Sequence, residues 1–496
     1  MERFGDTITV INIHTSIKAG NAMSGRAKLA VDIGGTFTDL VLEKDGTRHQ
    51  DKLLTTPAAP EEAVLEGTRR ILSESNTPAT NVELVIHGTT LATNALIERK
   101  GAETGLIATD GFRDSVEIAY EHRFEQYDLY MERPSPLVPR HRRLGVPERI
   151  AADGEVLLPL DEDVLAKRAR ALQGEGIEAL AICFLHSYMN AAHEERARDI
   201  VSGILPDIAI SISSEICPEI REYERMSTVC ANAYVQPMMS RYLGRLESGL
   251  AKLGLHCPLL LMMSSGGITT VETASRQPIR LVESGPAGGA ILAKNIAAQN
   301  NLDKVLSFDM GGTTAKITLI DACEPLLSRS FEVARAYRFL KGSGLPLRIP
   351  VIEMVEIGAG GGSVAALDDL KQITVGPESA GSDPGPACYD RGNEHATVTD
   401  ADLVLGRIEP ATFAGGKINL APDKAETAIT TEIATPLCLN KEVAAAGIDE
   451  IVNENMANAA RVHAIEHGKD TADRTLVAFG GAAPLHAARL ADKLGI

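Results

Sequence analysis

Two short stretches of this chain put a carboxylate just ahead of paired glycines and a hydroxyl. One reads Val31-Asp32-Ile33-Gly34-Gly35-Thr36-Phe37-Thr38-Asp39 and the other Phe308-Asp309-Met310-Gly311-Gly312-Thr313-Thr314. Adjacent glycines turn the backbone tightly with no Cβ in the way, so several N–H groups face an anion such as phosphate. The threonine hydroxyl adds a donor. A carboxylate beside bound phosphate is repelled unless a divalent cation sits between them. Mg²⁺ suits that place, because it takes one or two carboxylates together with waters and phosphate oxygens. A single Asp-x-Gly-Gly-Thr is an ordinary hairpin turn. Two copies in the same context point to a shared chemistry.

The surrounding residues say what must position these groups. An apolar, β-prone run from Leu29 ends in Asp32 and another from Val305 ends in Asp309, and a second β-prone run follows each glycine pair, so each stretch is predicted to be a hairpin with its acid at the end of the first strand. Such a duplicated phosphate hairpin resembles the actin, heat-shock-70 and sugar-kinase superfamily. The resemblance implies an α/β fold of two related lobes holding ATP between them. Two further stretches agree with it in type and order. Glu283 to Ala293 is a helix dense in small residues just before the second hairpin, like the superfamily's connecting helix. Thr475 to Phe479 is an apolar strand running into Gly480-Gly481 and a helix, like the element that flanks adenosine there.

Between the hairpins, strands and helices alternate as in an α/β lobe. Pro60-Glu61-Glu62 opens a helix with acids where the dipole favours them. Val82 to Ile86 is a strand, and His87-Gly88-Thr89-Thr90 is expected to follow as loop into helix. Ends of strands feed ligand clefts in such sheets, so His87 is either a substrate-side group or a histidine tied to neighbouring backbone. Glu353 and Glu356 flank the glycine-rich run Gly358 to Gly362, either as outer carboxylates of a site or as solvated edge residues. That run lacks the Lys-Ser/Thr of a P-loop.

The 496 residues carry a formal net charge of −18, which argues against a nucleic-acid binder. Seven scattered cysteines form no Cys-x-x-Cys pair and fit a reduced, cytoplasmic protein. No apolar stretch approaches the ~20 residues of a membrane span. Residues 1–27 differ in character from the rest and are expected to be a disordered extension, with Met23 as the natural start. The lobes are expected at 28–205, with the first hairpin, and at 215–496, with the connecting helix, second hairpin and adenosine loop.

A narrower resemblance rests on the first hairpin, His87-Gly88-Thr89-Thr90, Arg123-Phe124-Glu125-Gln126-Tyr127-Asp128-Leu129, Glu356-Ile357-Gly358-Ala359-Gly360-Gly361-Gly362-Ser363 and Gly376-Pro377-Glu378-Ser379-Ala380-Gly381. Together these are similar to the hydantoinase A family: subunits of ATP-dependent hydantoinases, the matching half of 5-oxoprolinase, and the acetone carboxylase beta subunit. Members usually continue past the Gly-Gly-Ala-Ala-Pro-Leu-His segment, so the resemblance implies a chain truncated at its C-terminus. It further implies ATP and Mg²⁺ as cofactors and a hydantoinase B-type subunit as partner. Its reaction opens a cyclic amide or imide through a phosphorylated intermediate. In that scheme Gly34, Gly35, Thr36, Gly311, Gly312 and Thr313 hold phosphates. Asp32 and Asp309 orient the metal and its waters, Gly480 and Gly481 flank adenosine, and His87 stands on the substrate side. Two other readings stay open: a carboxylase subunit acting on a small ketone, and an actin-like ATP-binding module without catalysis.

Overall fold

The computed structural model describes residues 25–34, 37–56, 58–120, 123–335, 342–413 and 419–496. Most of the expected N-terminal extension, together with Gly35 and Thr36, lies outside them. Ala27, placed in that extension by the sequence, is the first residue of a strand. The chain forms two compact units, one of residues 1–288 and 328–351, the other of residues 289–327 and 352–496. The division falls inside the small-residue helix α4 introduced below. No helix among the described residues is long and apolar enough to cross a membrane.

The first unit is built on a six-stranded sheet. β1 (Ala27–Ile33), β2 (Phe37–Lys44) and β3 (Thr47–Leu54) form an antiparallel meander. Asp45 and Gly46 join β2 to β3 with φ of 48° and 77°, the left-handed pair of a two-residue hairpin turn. After helix α1 (Pro60–Glu74), β4 (Val82–Thr89) lies parallel to β1, and α2 (Leu91–Ile97) follows. A four-stranded sheet comes next, from β5 (Thr104–Thr109), β6 (Arg143–Val146), β7 (Ala179–Cys183) and β8 (Ala209–Ile212) in the order β8-β7-β5-β6. The long helix α3 (Glu222–Lys252) packs on both α1 and β7. β9 (Leu259–Met262) and β10 (Ile268–Thr270) complete the first sheet as β10-β9-β4-β1-β2-β3.

The period of two in β1 does the positioning. Ala27, Leu29, Val31 and Ile33 are buried, and Lys28, Ala30 and Asp32 point outward. Each buried aliphatic side chain contributes about 1.5–3 kcal/mol. That fixes the register and therefore which face Asp32 occupies, since a slip of one residue turns it into the core.

Helix α4 (Ser284–Asn300) leads into the second unit. There β11 (Lys304–Met310) and β12 (Ala315–Asp321) form the second hairpin, extended by β13 (Glu324–Pro325) and β14 (Val355–Ile357). β15 (Thr475–Phe479) lies parallel to β11, and α7 (Ala483–Leu494) follows it. Helices α5 (Val398–Val404) and α6 (Lys441–Glu466) carry the rest of this unit's core, with Ile448, Val452 and Met456 of α6 buried.

Candidate functional site

The two hairpins are one local design made twice. In the first unit Gly34 N–H donates to Phe37 O at 2.9 Å; in the second Gly311 N–H donates to Thr314 O at 3.1 Å. In each unit a strand parallel to the first hairpin strand brings a glycine at its C-terminal end beside the acid, Gly88 as the last residue but one of β4 and Gly480 just past β15. Asp32 is in register with Gly88 and Asp309 with Phe479, just before Gly480. A Cβ on Gly88 would stand 2.7 Å from Asp32 Oδ1, and one on Gly480 would stand 2.5 Å from Asp309 Oδ1. Two residues on, Thr90 N–H donates to Ile33 O at 3.1 Å and Ala482 N–H to Met310 O at 3.0 Å. Hairpin, acid, glycine and return hydrogen bond therefore correspond one for one. In sequence, His87-Gly88-Thr89-Thr90 is expected as a loop into a helix and Phe479-Gly480-Gly481-Ala482 as the nucleoside-flanking element. They are equivalent, and the shared signal was a glycine closing an apolar strand ahead of a helix.

Around Asp32 the neighbours are mostly backbone. Gly88 lies on one side, and a Cβ on Gly285 in the first turn of α4 would be 3.7 Å from Asp32 Oδ2. Ser284 latches that turn in place: its hydroxyl donates to Thr89 O (3.0 Å) and accepts the Thr89 N–H (3.2 Å). Thr55 supports the hairpin from below, its hydroxyl donating to Gly34 O at 3.0 Å. Asp39 is engaged by Lys52, whose ammonium donates at 2.7 and 2.9 Å. Asp32 is open to solvent at its tip, yet enough protein surrounds it that desolvation, with Asp39 adding to it and Lys52 opposing, raises its pKa. An outward carboxylate that the fold leaves short of positive charge is suited to a cation.

In the second unit three loops meet at the hairpin tip. Gly361 N–H donates to Gly311 O (3.0 Å) and Gly362 N–H to Gly312 O (2.7 Å). Gly360 lies so close to Gly312 and Thr313 that a Cβ there would be 2.6 Å from their backbone atoms. The Gly358–Gly362 run, a weak signal in the sequence, is thus a backbone-on-backbone brace for the hairpin. Among the described residues the amides of Gly312 and Thr313 have no partner, and both residues are exposed. They remain available to an anion. Gly480 has φ +95°, and Gly481 has open space on its Cβ side. Behind them His486 anchors α7. It is buried within 3.3 Å of both Asp402 and Asp449, and Arg407 grips Asp449 at 2.6 and 2.8 Å. Burial opposes the charged imidazole, but the two carboxylates prevail and raise its pKa to about 9.

His87 differs from its expectation. β4 runs on through Thr89, so His87 lies within the strand, 1 % exposed, and not in a loop at its end. Nδ1 is 3.2 Å from Val31 O and Nε2 is 2.7 Å from Tyr242 Oη. A carbonyl only accepts, so Nδ1 carries the proton and the tyrosine hydroxyl donates to Nε2. Burial lowers the pKa to about 4. The ring ties β1, β4 and α3 together beneath Asp32. The hydroxyls of Thr89, Thr90 and Thr93 are also committed to the protein, bonding Leu91 N–H, Ile33 O and Glu283 N–H.

Comparison with known proteins identifies relatives of this chain. The family model described as hydantoinase/oxoprolinase N-terminal region matches residues 28–205, and the one described as hydantoinase/oxoprolinase matches residues 225–496. The chain is 38% identical to the caprolactamase subunit alpha of Pseudomonas jessenii, over 94% of this chain and 67% of that one. It is 30% identical to 5-oxoprolinase 1 of Arabidopsis thaliana, over 96% of this chain and 40% of that protein. The solved ATP-dependent caprolactamase from Pseudomonas jessenii superposes with a TM-score of 0.83 at 37% identity, covering 94% of this chain and 67% of the other. Nucleotide-free acetone carboxylase, from work on ATP-dependent acetone carboxylation, gives 0.78 at 28%, covering 95% and 67%. The fold is of the actin/heat-shock-70/sugar-kinase-like α/β class with duplicated hairpins, as expected from the sequence.

Proposed function

The chain belongs to the hydantoinase/oxoprolinase family, and from that premise we propose that it is the ATP-using subunit of an enzyme that opens a small cyclic amide. The observation that carries this reading is the repeated constellation of acid, glycine hairpin and facing glycine, Asp32 with Gly34 and Gly88, Asp309 with Gly311 and Gly480. An unactivated lactam is a poor electrophile. Transfer of the γ-phosphoryl group of ATP to the amide oxygen releases ADP and leaves a phosphoryl imidate. Water then adds to the activated carbon, the ring C–N bond breaks as the protonated nitrogen leaves with its electron pair, and a second water hydrolyses the acyl phosphate that remains to carboxylate and phosphate. Little of this needs covalent help from protein, so positioning and charge neutralisation dominate.

In this scheme Gly34–Thr36 and Gly311–Thr313 donate backbone N–H groups to the phosphates, and Gly480 and Gly481 leave room for the nucleoside. Asp32 and Asp309 would hold Mg²⁺, which supplies positive charge to the phosphate oxygens. His87 acts through β1 by fixing the height of Asp32 and touches no substrate. Relatives that are named as subunits support a hetero-oligomer, with a hydantoinase B-type chain contributing the rest of the amide chemistry. The seven unpaired cysteines fit a cytoplasmic location.

The test is ATP turnover by the chain with its co-expressed partner, screened against caprolactam, 5-oxoproline, hydantoins and acetone. Lactam- or hydantoin-dependent ADP release with ring opening supports the reading. The likeness to acetone carboxylase favours a second one, and bicarbonate-dependent turnover with acetone would select it. ATP binding with no turnover on any substrate would leave a non-catalytic module.

A further inference from the structure

Two histidines at the end of α6 have no place in the reading above. His463 and His467 are four residues apart, which puts them on one helix face, and their rings meet edge to face with centroids 4.8 Å apart. Glu353, on the segment leading into β14, brings Oε1 to 3.8 Å from His467 Nε2. One donor atom from each of the three lies within 4.8 Å of the others. His463 is 4 % exposed, and its buried Nε2 has no hydrogen-bond partner among the described residues. A buried imidazole nitrogen left unmatched calls for an explanation, because nearly all such atoms in folded proteins find a partner.

We propose that Glu353, His463 and His467 form a three-ligand site for a divalent transition-metal ion, zinc being the best match. Two imidazoles and one carboxylate suit a borderline-soft ion, whereas Mg²⁺ and Ca²⁺ prefer oxygen throughout. Three protein ligands leave one tetrahedral position for water. Donors around such an ion, with bonds of about 2.0 Å, stand about 3.3 Å apart. The two partly exposed side chains, His467 and Glu353, therefore close in by an ångström or so while His463 stays fixed. The neighbouring cation Lys469 is ion-paired with Asp321, which Arg474 also contacts at 2.7 Å.

The site is separate from the Mg²⁺ expected with the nucleotide. Its place in the fold gives it a role: Glu353 N–H bonds Leu326 O at 2.8 Å, and β14 runs directly into the Gly358–Gly362 brace. A metal there clasps the end of α6 to the root of the loop that supports the second hairpin.

The full chain, stripped with chelator and dialysed, is titrated with ZnCl₂ by calorimetry and against a chromophoric chelator. One equivalent binding with a Kd near or below about 1 µM is expected, with a rise in Tm and no competition from Mg²⁺. His467→Ala and Glu353→Gln, both at partly exposed positions, should each weaken binding at least ~10-fold while keeping the metal-free Tm. His463→Gln extends the series but is not needed for it. No binding tighter than about 100 µM, or affinity unchanged in either exposed-ligand variant, would overturn the assignment.

Discussion

Gly88→Ala isolates the relation on which the site rests. The new methyl would meet only Asp32: Oδ1 at 2.7 Å, Cγ at 3.6 Å and Cβ at 4.0 Å. The nearest contact is about 0.7 Å short of the 3.4 Å where ordinary contact begins. Gly88 does not have a positive φ, so the backbone accepts alanine. The strain therefore falls on the carboxylate, which must leave its rotamer at a cost of about 0.5–1.5 kcal/mol. A loss of that size lowers Tm by about 2–4 °C in a unit this large. Misplacing a group at the reacting phosphates by about 1 Å costs on the order of 10²-fold. ATP turnover, measured by coupled ADP release with the partner and a lactam, should fall ~10–100-fold while the fold survives. Gly480→Ala should match it in activity, since its Cβ meets Asp309 Oδ1 at 2.5 Å. It should lose more stability, because φ +95° adds a left-handed backbone penalty of about 1–2 kcal/mol. Gly111→Ala is the control: φ +85° with open space around it, so stability drops and turnover holds. A Gly88→Ala enzyme with wild-type turnover would refute the reasoning, because it would show that the position of Asp32 does not matter.

Other outcomes follow from the same contacts. Asp309→Asn should lower ATP turnover by roughly 10²–10³-fold with the fold intact, the scale of one preorganised charge contact; unchanged turnover would remove Asp309 from the mechanism. His486 holds its proton to about pH 9 in the fold but to only about 6.5 when unfolded. Its stabilisation of about 3 kcal/mol is complete below pH 6.5 and fades as pH rises through 9. Denaturant unfolding between pH 6 and 10 should show that decline, and His486→Gln should flatten it; an equal slope in the variant would contradict the assignment. His87 gives the opposite limb. Neutral in the fold down to about pH 4, it adds stability that is present above pH 6.5 and lost as pH falls toward 4. Tyr242→Phe, which removes the donor to Nε2, should lessen that acid loss, and an unaltered acid limb would contradict the pairing.

What could be read in advance was local. The apolar, β-prone runs before both glycine pairs and the Pro60-Glu61-Glu62 start of α1 are short-range patterns, and each falls in its expected element. What could not be read depends on partners far off in the chain. His87 looked like the end of a strand because its register with Val31 and its bond to Tyr242 span 56 and 155 residues. The bracing role of the Gly358–Gly362 run was not legible because its backbone partners, Gly311 and Gly312, lie far off in the chain. The buried group of Asp402, Asp449 and His486 is assembled from three helices, and no single segment of sequence contains it.

On the reading proposed above, both hairpins serve one nucleotide. The direct measurement is a structure of the chain, with its partner, bound to Mg²⁺ and a non-hydrolysable ATP analogue. The account requires the phosphates to be contacted by backbone amides of both Gly34–Thr36 and Gly311–Thr313, with Asp32 and Asp309 on the metal side. A nucleotide held by one hairpin alone, or bound away from both, would contradict it.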